Sequence, residues 1–325
     1  MPKVSVIIPV YRVEKFIERC ARSLFEQTLD DIEYIFVNDC TDDASMDVLE
    51  RIIREYPQRK NQILIENMLT NCGLPAVRQH GISLATGDYI IHCDSDDWVD
   101  VNMYKTMYQK AFDENLDIVI CNHYYSCENE NIYRDCALCS DNYLRDLITQ
   151  SVAVAVWNKL VKKEIYTNNK IIYPKHNFGE DYALTTQLVM YANTCGFVNE
   201  AFYYYRQNNP NAITKQQSSF AVQKQFNDYN KNVEIIISSL KERNLFSIYR
   251  NDIIERKRFY RDSVLVYIDK DAGYYQIYFN SFPELSFWNE PGIKYKLRYL
   301  LVKFYVYPYY LKLKNIIKRN YCHGN

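Results

Sequence analysis

Residues 4–10 read Val-Ser-Val-Ile-Ile-Pro-Val, an almost unbroken apolar run dominated by β-branched side chains. A strand with one face in water alternates apolar and polar residues. A run without a polar face belongs to a strand covered on both sides, the condition of a parallel sheet between two helix layers. The neighbouring sequence keeps that rhythm. Residues 14–27 place Phe16, Ile17, Cys20 and Leu24 at helical spacing, 32–37 (Ile-Glu-Tyr-Ile-Phe-Val) predicts a second strand, and 44–56 a helix carrying Met46, Leu49, Ile52 and Ile53. A short strand over 62–65, a helix over 75–84 and a strand over 89–93 (Tyr-Ile-Ile-His-Cys) follow. This βαβαβαβ order predicts an α/β fold with a mostly parallel central sheet and helices on both faces.

Beyond residue 100 the pattern loosens. We expect a helix over 103–115, a strand over 117–125, a variable segment to about 150, helices over 152–166 and 181–191, and a strand over 197–206. From about Ser218 onward only helical patterns carry weight, over 219–241, 245–269 and 293–318. The polar stretch 206–219 (Arg-Gln-Asn-Asn-Pro-Asn-Ala-Ile-Thr-Lys-Gln-Gln-Ser-Ser) reads as a linker. The expected division is therefore 1–215, a catalytic domain, and 216–325, a helical C-terminal region.

Composition removes several classes. The 325 residues carry a formal charge of −1, too little basic surplus for a nucleic-acid binder. That total is the sum of unlike parts. The last 35 residues hold eight Lys or Arg and no carboxylate, so residues 1–290 carry 31 basic against 40 acidic side chains, a net −9. Only 8 glycines are present, and neither G-x-G-x-x-G nor G-x-x-x-x-G-K-[ST] occurs, so dinucleotide-Rossmann and P-loop readings lose their support. G-x-S-x-G and H-E-x-x-H are absent as well. With no secretory signal and no apolar stretch near 18 residues, the chain is read as cytoplasmic, its 10 cysteines reduced. His123, Cys127, Cys136 and Cys139 have irregular spacing for a zinc site, and Cys136-x-x-Cys139 lacks a thioredoxin-like context.

In open parallel sheets, ligands bind beyond the carboxyl ends of the strands. Here those ends carry Pro9-Val10-Tyr11, then Asn38-Asp39 with Asp42-Asp43 following, then Asp94-Ser95-Asp96-Asp97. Six carboxylates on one sheet edge would repel unless a cation or hydrogen-bond donors compensate. A hard divalent ion on oxygen ligands, Mg²⁺ or Mn²⁺, is the natural compensation, and it also holds phosphate. For Asp39 taken alone the stronger reading is ordinary turn chemistry, since Asn-Asp is common after a strand.

Four stretches, Val4–Tyr11, Tyr34–Asp43 (Tyr-Ile-Phe-Val-Asn-Asp-Cys-Thr-Asp-Asp), Asn71–Ile90 and Asp94–Asp97, together resemble family 2 glycosyltransferases, inverting enzymes of the GT-A fold. The resemblance spans roughly residues 3–215. It implies that Pro9, Val10, Tyr11, Glu14 and Asp39 cradle the base and ribose of a nucleotide-sugar donor, a UDP-sugar being favoured. A carboxylate such as Asp39 accepts from the ring imide N–H of uracil or guanine. It implies too that Asp94, Ser95 and Asp96, the D-x-D element, engage the ribose and, through Mn²⁺ or Mg²⁺, the diphosphate, with Asp97 beside them. Arg78 offers a bidentate phosphate contact, with a structural arginine as the alternative. Cys40 stands where the family usually has Gly, so the turn after Asp39 either does without a positive φ or tolerates its strain.

Glycosyl transfer by single displacement needs a base for the acceptor hydroxyl. Phe178-Gly-Glu-Asp181 resembles the family's E-D element, which makes Asp181 the candidate base and Glu180 its neighbour or substitute. Both fall in a first helical turn, whose positive end favours an ionised carboxylate. Trp157 and Lys159 lie in a stretch that faces acceptor or donor sugar in the family, Trp157 alternatively being a buried structural ring. Arg206, with Ile213-Thr214 nearby, is a candidate diphosphate contact. The basic, Tyr-rich tail 293–319 suits an anionic membrane surface, hence a peripheral site on the inner membrane face and a lipid-linked glycan acceptor. The alternative covers for that tail are the acidic body or a second subunit of a homodimer. Two other readings have specific weaknesses. A sugar nucleotidylyltransferase would want a Gly-rich N-terminal loop and a Lys, which Pro9–Arg12 does not supply, and a catalytically inactive adaptor has no reason to keep Asp39, Asp94, Asp96 and Asp181.

Overall fold

The structure, a computed structural model, describes residues 2–136, 141–209 and 218–313. In chain order the first half runs β1 (Val4–Val10), α1 (Ile17–Phe25), β2 (Ile32–Asn38), α2 (Ser45–Glu55), β3 (Ile63–Asn67), α3 (Leu74–Leu84), β4 (Tyr89–His92), β5 (Trp98–Val99) and α4 (Met103–Asp113). Then come β6 (Ile118–Ser126), β7 (Asn131–Arg134), α5 (Tyr143–Thr149), β8 (Lys159–Lys162), α6 (Lys163–Thr167), α7 (Glu180–Tyr191) and β9 (Cys195–Arg206). The C-terminal helices are α8 (Ser219–Glu242), α9 (Phe246–Asp262), α10 (Gly273–Asn280) and α11 (Ile293–Lys303).

All strands join one sheet in the order β3-β2-β1-β4-β8-β6-β9-β5, with β7 paired to β6. The expected parallel unit is β3-β2-β1-β4. Every residue of β1 is buried, as its unbroken apolar run requires. Its side chains divide between two cores. Val6 and Ile8 face one, with α1, α2 and α4; Ile7 faces the other, with α3, α6 and α7.

The second half departs from expectation. Residues 152–166 do not form a helix: β8 lies antiparallel between β4 and β6, in the middle of the sheet, and only Lys163–Thr167 is helical. A fully buried apolar segment has no periodicity to distinguish the two states. The variable segment contains β7 and α5, and α10 occupies a stretch from which no helix was expected. The expected helix over 293–318 is broken: α11 ends at Lys303, the chain turns at Tyr305, which has φ 60°, and helix resumes over 307–313, beyond which the residues lie outside the described ones.

Helices α8–α11 build a third core around Phe226, Ile236, Leu265 and Tyr278. It is continuous with the first region, because Ile148 of α5 and Tyr182, Ala183 and Met190 of α7 belong to it. The expected boundary near 215 falls within 210–217, outside the described residues. The consequence for function is that α8 packs against the helix that begins with Glu180-Asp181, and α9 packs on α5 and α8.

Candidate active site

The carboxyl ends of β1, β2 and β4 open into a cleft of about 850 Å³. It is lined by Pro9, Val10, Tyr11, Asp39, Arg78, Asp94, Ser95, Asp96, Trp157, Glu180, Asp181 and Arg206, among others. Elements far apart in sequence thus converge on one space.

Asp39 continues β2, its N–H donating to the Val10 carbonyl at 3.0 Å. Its carboxylate accepts from the backbone N–H groups of Cys72 and Gly73 at 2.7 and 2.9 Å. Gly73 precedes α3 with φ 83°, a conformation natural to glycine, which turns these amides toward the end of β2. Asp39 therefore ties β2 to the start of α3 and presents its carboxylate on the cleft at once.

Asp94 and Asp96 occupy the turn after β4. Asp94 Oδ1 accepts from Arg78 Nη2 at 2.7 Å, and Asp96 Oδ2 from Asn209 Nδ2 at 2.7 Å. Burial, reinforced by the neighbouring Asp94, pushes the Asp96 carboxyl above the usual carboxylate range. Crowded negative charge of this kind is what a cation relieves. Among the described residues no group of three or more His, Cys, Asp and Glu lies close enough together to hold a metal ion by itself. The two-carboxylate donor set fits a hard divalent ion that completes its shell from substrate oxygens and water.

Gly179, at φ 81°, turns the chain into α7 and sets Glu180 inward. Arg78 is buried in the floor and bridges the two acidic elements, with Nε on Glu180 Oε1 at 2.8 Å and Nη2 on Asp94. Burial lifts Glu180 to about 7, against the pull of Arg78 and aided by Asp181. Asp181 is likewise raised by burial; its Oδ1 accepts from the Tyr182 N–H at 2.8 Å, and the residue lines the cleft.

The sequence model of glycosyl transferase family 2 matches residues 5–184, more than half of the chain and all of these acidic elements. The chain belongs to glycosyl transferase family 2.

Among its relatives, the uncharacterized glycosyltransferase EpsJ of Bacillus subtilis is 33% identical over 225 residues, covering 66% of this chain and 64% of EpsJ. The putative glycosyltransferase EpsH of the same organism is 30% identical over 262 residues, covering 78% of this chain and 73% of EpsH. This chain thus spans just under two thirds of EpsJ and somewhat more of EpsH. Among solved structures, residues 1–349 of S. aureus TarS, in complex with UDP-GlcNAc, superpose with a TM-score of 0.59 at 16% identity, covering 87% of this chain and 91% of that one. The Pyrobaculum calidifontis mannosyltransferase PcManGT, in complex with GDP-Man and Mn²⁺, gives 0.53 at 12% identity, covering 94% and 85%. These likenesses establish the GT-A fold, and the family membership makes the chain a glycosyltransferase.

Within this family 2 enzyme, several expected site residues stand off the cleft. Asp97 is 1% exposed, with Oδ2 accepting from the Tyr203 hydroxyl and Oδ1 from the Arg206 N–H, both at 2.7 Å; it anchors β9 and is not placed to join a metal pair. Asp43 caps α2 through Ser45, and Asp42 pairs with Arg12, so three of the six strand-end carboxylates are structural or peripheral. Glu14 does not reach the nucleotide cradle; its Oε2 accepts from the Ala44 N–H at 3.2 Å, at the start of α2. Lys159 is fully committed, Nζ donating to the carbonyls of Ala153 and Ala155 and to Asn158 Oδ1 within 2.9 Å, with burial pushing it down to about 8.

Trp157 is a buried ring that also reaches the cleft. It stacks on Tyr203, ring centroids 4.1 Å apart, and borders the cleft. Arg206 is on the cleft wall, its Nε donating to the Asp96 carbonyl at 2.7 Å. Arg78 is also two things, a buried brace and a lining residue. The turn after Asp39 resolves the Cys40 question: φ is 56°, so the strained conformation is present without glycine. His123 Nδ1 and Cys136 Sγ touch at 3.1 Å, while Cys139 and Ile213-Thr214 lie outside the described residues.

Sequence reading missed the opposite wall. Gln150, Asn177, Tyr229, Arg256 and Tyr260 line the cleft, three of them from α8 and α9. Helical periodicity places Tyr229 on the buried face of α8, but no local signal says that this face closes a cleft built by residues 9–96.

Proposed function

We propose that this glycosyltransferase is a metal-dependent inverting enzyme that moves a sugar from a nucleotide-diphosphate sugar to a hydroxyl of a glycan acceptor. The observation that carries the reading is the convergence of Asp39, Asp94, Asp96 and Asp181 on one cleft. Asp39 would accept from the imide N–H of the base, and a UDP-sugar is the donor favoured. Mn²⁺ or Mg²⁺ held by Asp94 and Asp96 would supply charge neutralisation at the departing diphosphate. Arg206 would stand beside that diphosphate, and Arg78 would hold Asp94 in place.

Asp181 would take the proton of the acceptor hydroxyl as that oxygen attacks C1 from the face opposite the leaving group, so the anomeric configuration inverts. Glu180 is engaged by Arg78 and would position Asp181 without receiving that proton. Two solved structures of the same fold support a sugar-nucleotide donor, TarS in complex with UDP-GlcNAc and PcManGT in complex with GDP-Man and Mn²⁺.

The reading extends to a lipid-linked acceptor in cell-surface polysaccharide synthesis, met at the inner membrane face. No helix among the described residues is long and apolar enough to cross a membrane. Helix α11 exposes Ile293 and Leu297, and Phe304 and Trp288 stand out beside it at 65% and 82% exposure. Lys294 and Lys303 lie among them, a pairing of apolar and basic groups suited to an anionic bilayer.

Thermal-shift titration with UDP, GDP, dTDP and CMP, with and without Mn²⁺, tests the donor site. Metal-dependent stabilisation by one diphosphate is expected; stabilisation by none would sink the assignment. Flotation with phosphatidylglycerol against phosphatidylcholine vesicles tests the tail, which should bind the anionic membrane and release at high salt.

A further inference from the structure

Helix α9 carries a cluster of cations, and its buried members are matched. Lys257 meets Glu284 at 2.7 Å, Arg258 meets Glu290 at 2.8 Å, and Arg261 meets Glu290 at 2.6 Å. Their neighbour Arg256 forms no ion pair among the described residues. Its Nη2 donates to Gln150 Oε1, and its Nε is buried without a hydrogen-bond partner among the described residues. The side chain lines the same cleft as Asp181.

The surroundings of Arg256 are aromatic. The rings of Tyr229 and Tyr260 are 4.2 Å apart, and Tyr182 stacks on Tyr229 at 5.8 Å with an interplanar angle of 11°. Gln150 Nε2 also reaches the Tyr229 hydroxyl at 3.5 Å, so Gln150 orients both polar groups. On the donor side Arg78 is ion-paired with Asp94 and Glu180, with its Nη1 left without a hydrogen-bond partner among the described residues, and Arg206 donates to the Asp96 carbonyl. A half-buried guanidinium without a counter-charge is costly, and an arriving oxyanion reverses that cost with charge-assisted hydrogen bonds.

The geometry points to Arg256, held by Gln150 and walled by Tyr229 and Tyr260, as an acceptor subsite for an oxyanion, a phosphoryl or carboxylate group carried next to the sugar that is extended. This rests on the sugar-transfer reading with Asp181 as base, and it gives the C-terminal helices a role in choosing the acceptor. The aromatic walls offer faces for the acceptor's sugar rings, and the guanidinium fork selects those bearing negative charge.

The test uses the full chain with UDP and Mn²⁺ occupying the donor site. Phenyl phosphate, phenyl β-glucuronide and phenyl β-glucoside are titrated by calorimetry. The wild type is expected to bind one or both anionic probes at least about tenfold more tightly than the neutral glucoside. A preference for phenyl phosphate assigns a phosphoryl group; a preference for the glucuronide assigns a carboxylate. Arg256→Gln should abolish the preference. Arg256→Lys, which keeps the charge and loses the fork, should retain part of it and serves where Arg256→Gln does not fold. Equal binding of all three probes by the wild type overturns the proposal, as does an undiminished preference in Arg256→Gln. Loss of UDP affinity in Arg256→Gln also overturns it, by moving the residue to the donor. Failure of the underlying reading has its own signature, a wild-type protein that binds no nucleoside diphosphate, and this subsite falls with it.

Discussion

Arg78 Nε lies 2.8 Å from Glu180 Oε1 in the floor of the cleft, joining α3 to the first turn of α7. The same guanidinium holds Asp94 at 2.7 Å, so one buried cation spans the proposed donor and acceptor sides. Removing one partner of a buried ion pair strands the other charge. Arg78→Met is expected to cost about 3–5 kcal/mol and lower the melting temperature by several degrees. The double variant Arg78→Met/Glu180→Gln should recover part of that loss, because the stranded carboxylate is gone. Equal melting temperatures for the single and double variants would show that the pair is not coupled.

Asp181 and Glu180 are adjacent, both raised by burial, and titrate as a pair. A base must be ionised to work, so the rate should fall as pH drops through the raised range. The acidic limb of kcat against pH is expected above the usual carboxylate range, because burial raises Asp181. Asp181→Asn should lower kcat about 10²–10⁴-fold while UDP still binds. A variant that transfers sugar at the normal rate removes Asp181 from the mechanism.

The strand ends were legible because β1, β2 and β4 are buried on both faces and write that fact as apolar runs ending in Asp39 and Asp94. What surrounds those ends was not. Nothing local separates Asp96, on the cleft, from Asp97, one residue on and turned toward Tyr203; that difference is made by β9, more than a hundred residues away. Lys159 lies in the stretch expected to face acceptor or donor sugar, yet three oxygens surround its ammonium, two of them backbone carbonyls that no sequence pattern places there. Arg256 belongs to no recognisable motif, and its place on the cleft is a consequence of α9 packing on α5 and α8.

His123 is buried edge-on to Trp157, and burial, with Lys159 and Arg134 nearby, pushes it down to about 4. Its folded value lies below the unfolded value of about 6.5, so the unfolded chain binds more protons between the two. Its contribution is complete above pH 6.5 or so and is lost as pH falls toward about 4, up to roughly 3 kcal/mol in all. His123→Phe keeps a ring against Trp157 and removes the titration. Denaturant midpoints measured from pH 7 to 4 should decline less steeply in the variant, and parallel curves would exclude His123 as a source of acid sensitivity.

Cys40 holds φ 56° in the turn that follows Asp39, a left-handed conformation that costs a side chain about 1–2 kcal/mol. Glycine adopts it freely but gives up more backbone entropy on folding, about 0.5–1 kcal/mol. The balance favours Cys40→Gly by a few tenths to about 1 kcal/mol. Cys40 is exposed, so nothing packed is lost with its thiol. The turn also carries Thr41, whose N–H donates to Asn38 Oδ1 at 2.9 Å, and that contact holds the loop in place whichever residue stands at 40. Cys40→Gly is therefore expected to raise the denaturant midpoint with no change in UDP affinity. A lower midpoint would mean that the strain is relieved by a contact of Cys40, and weaker UDP binding would mean that the stiffness of the turn itself presents Asp39 to the base.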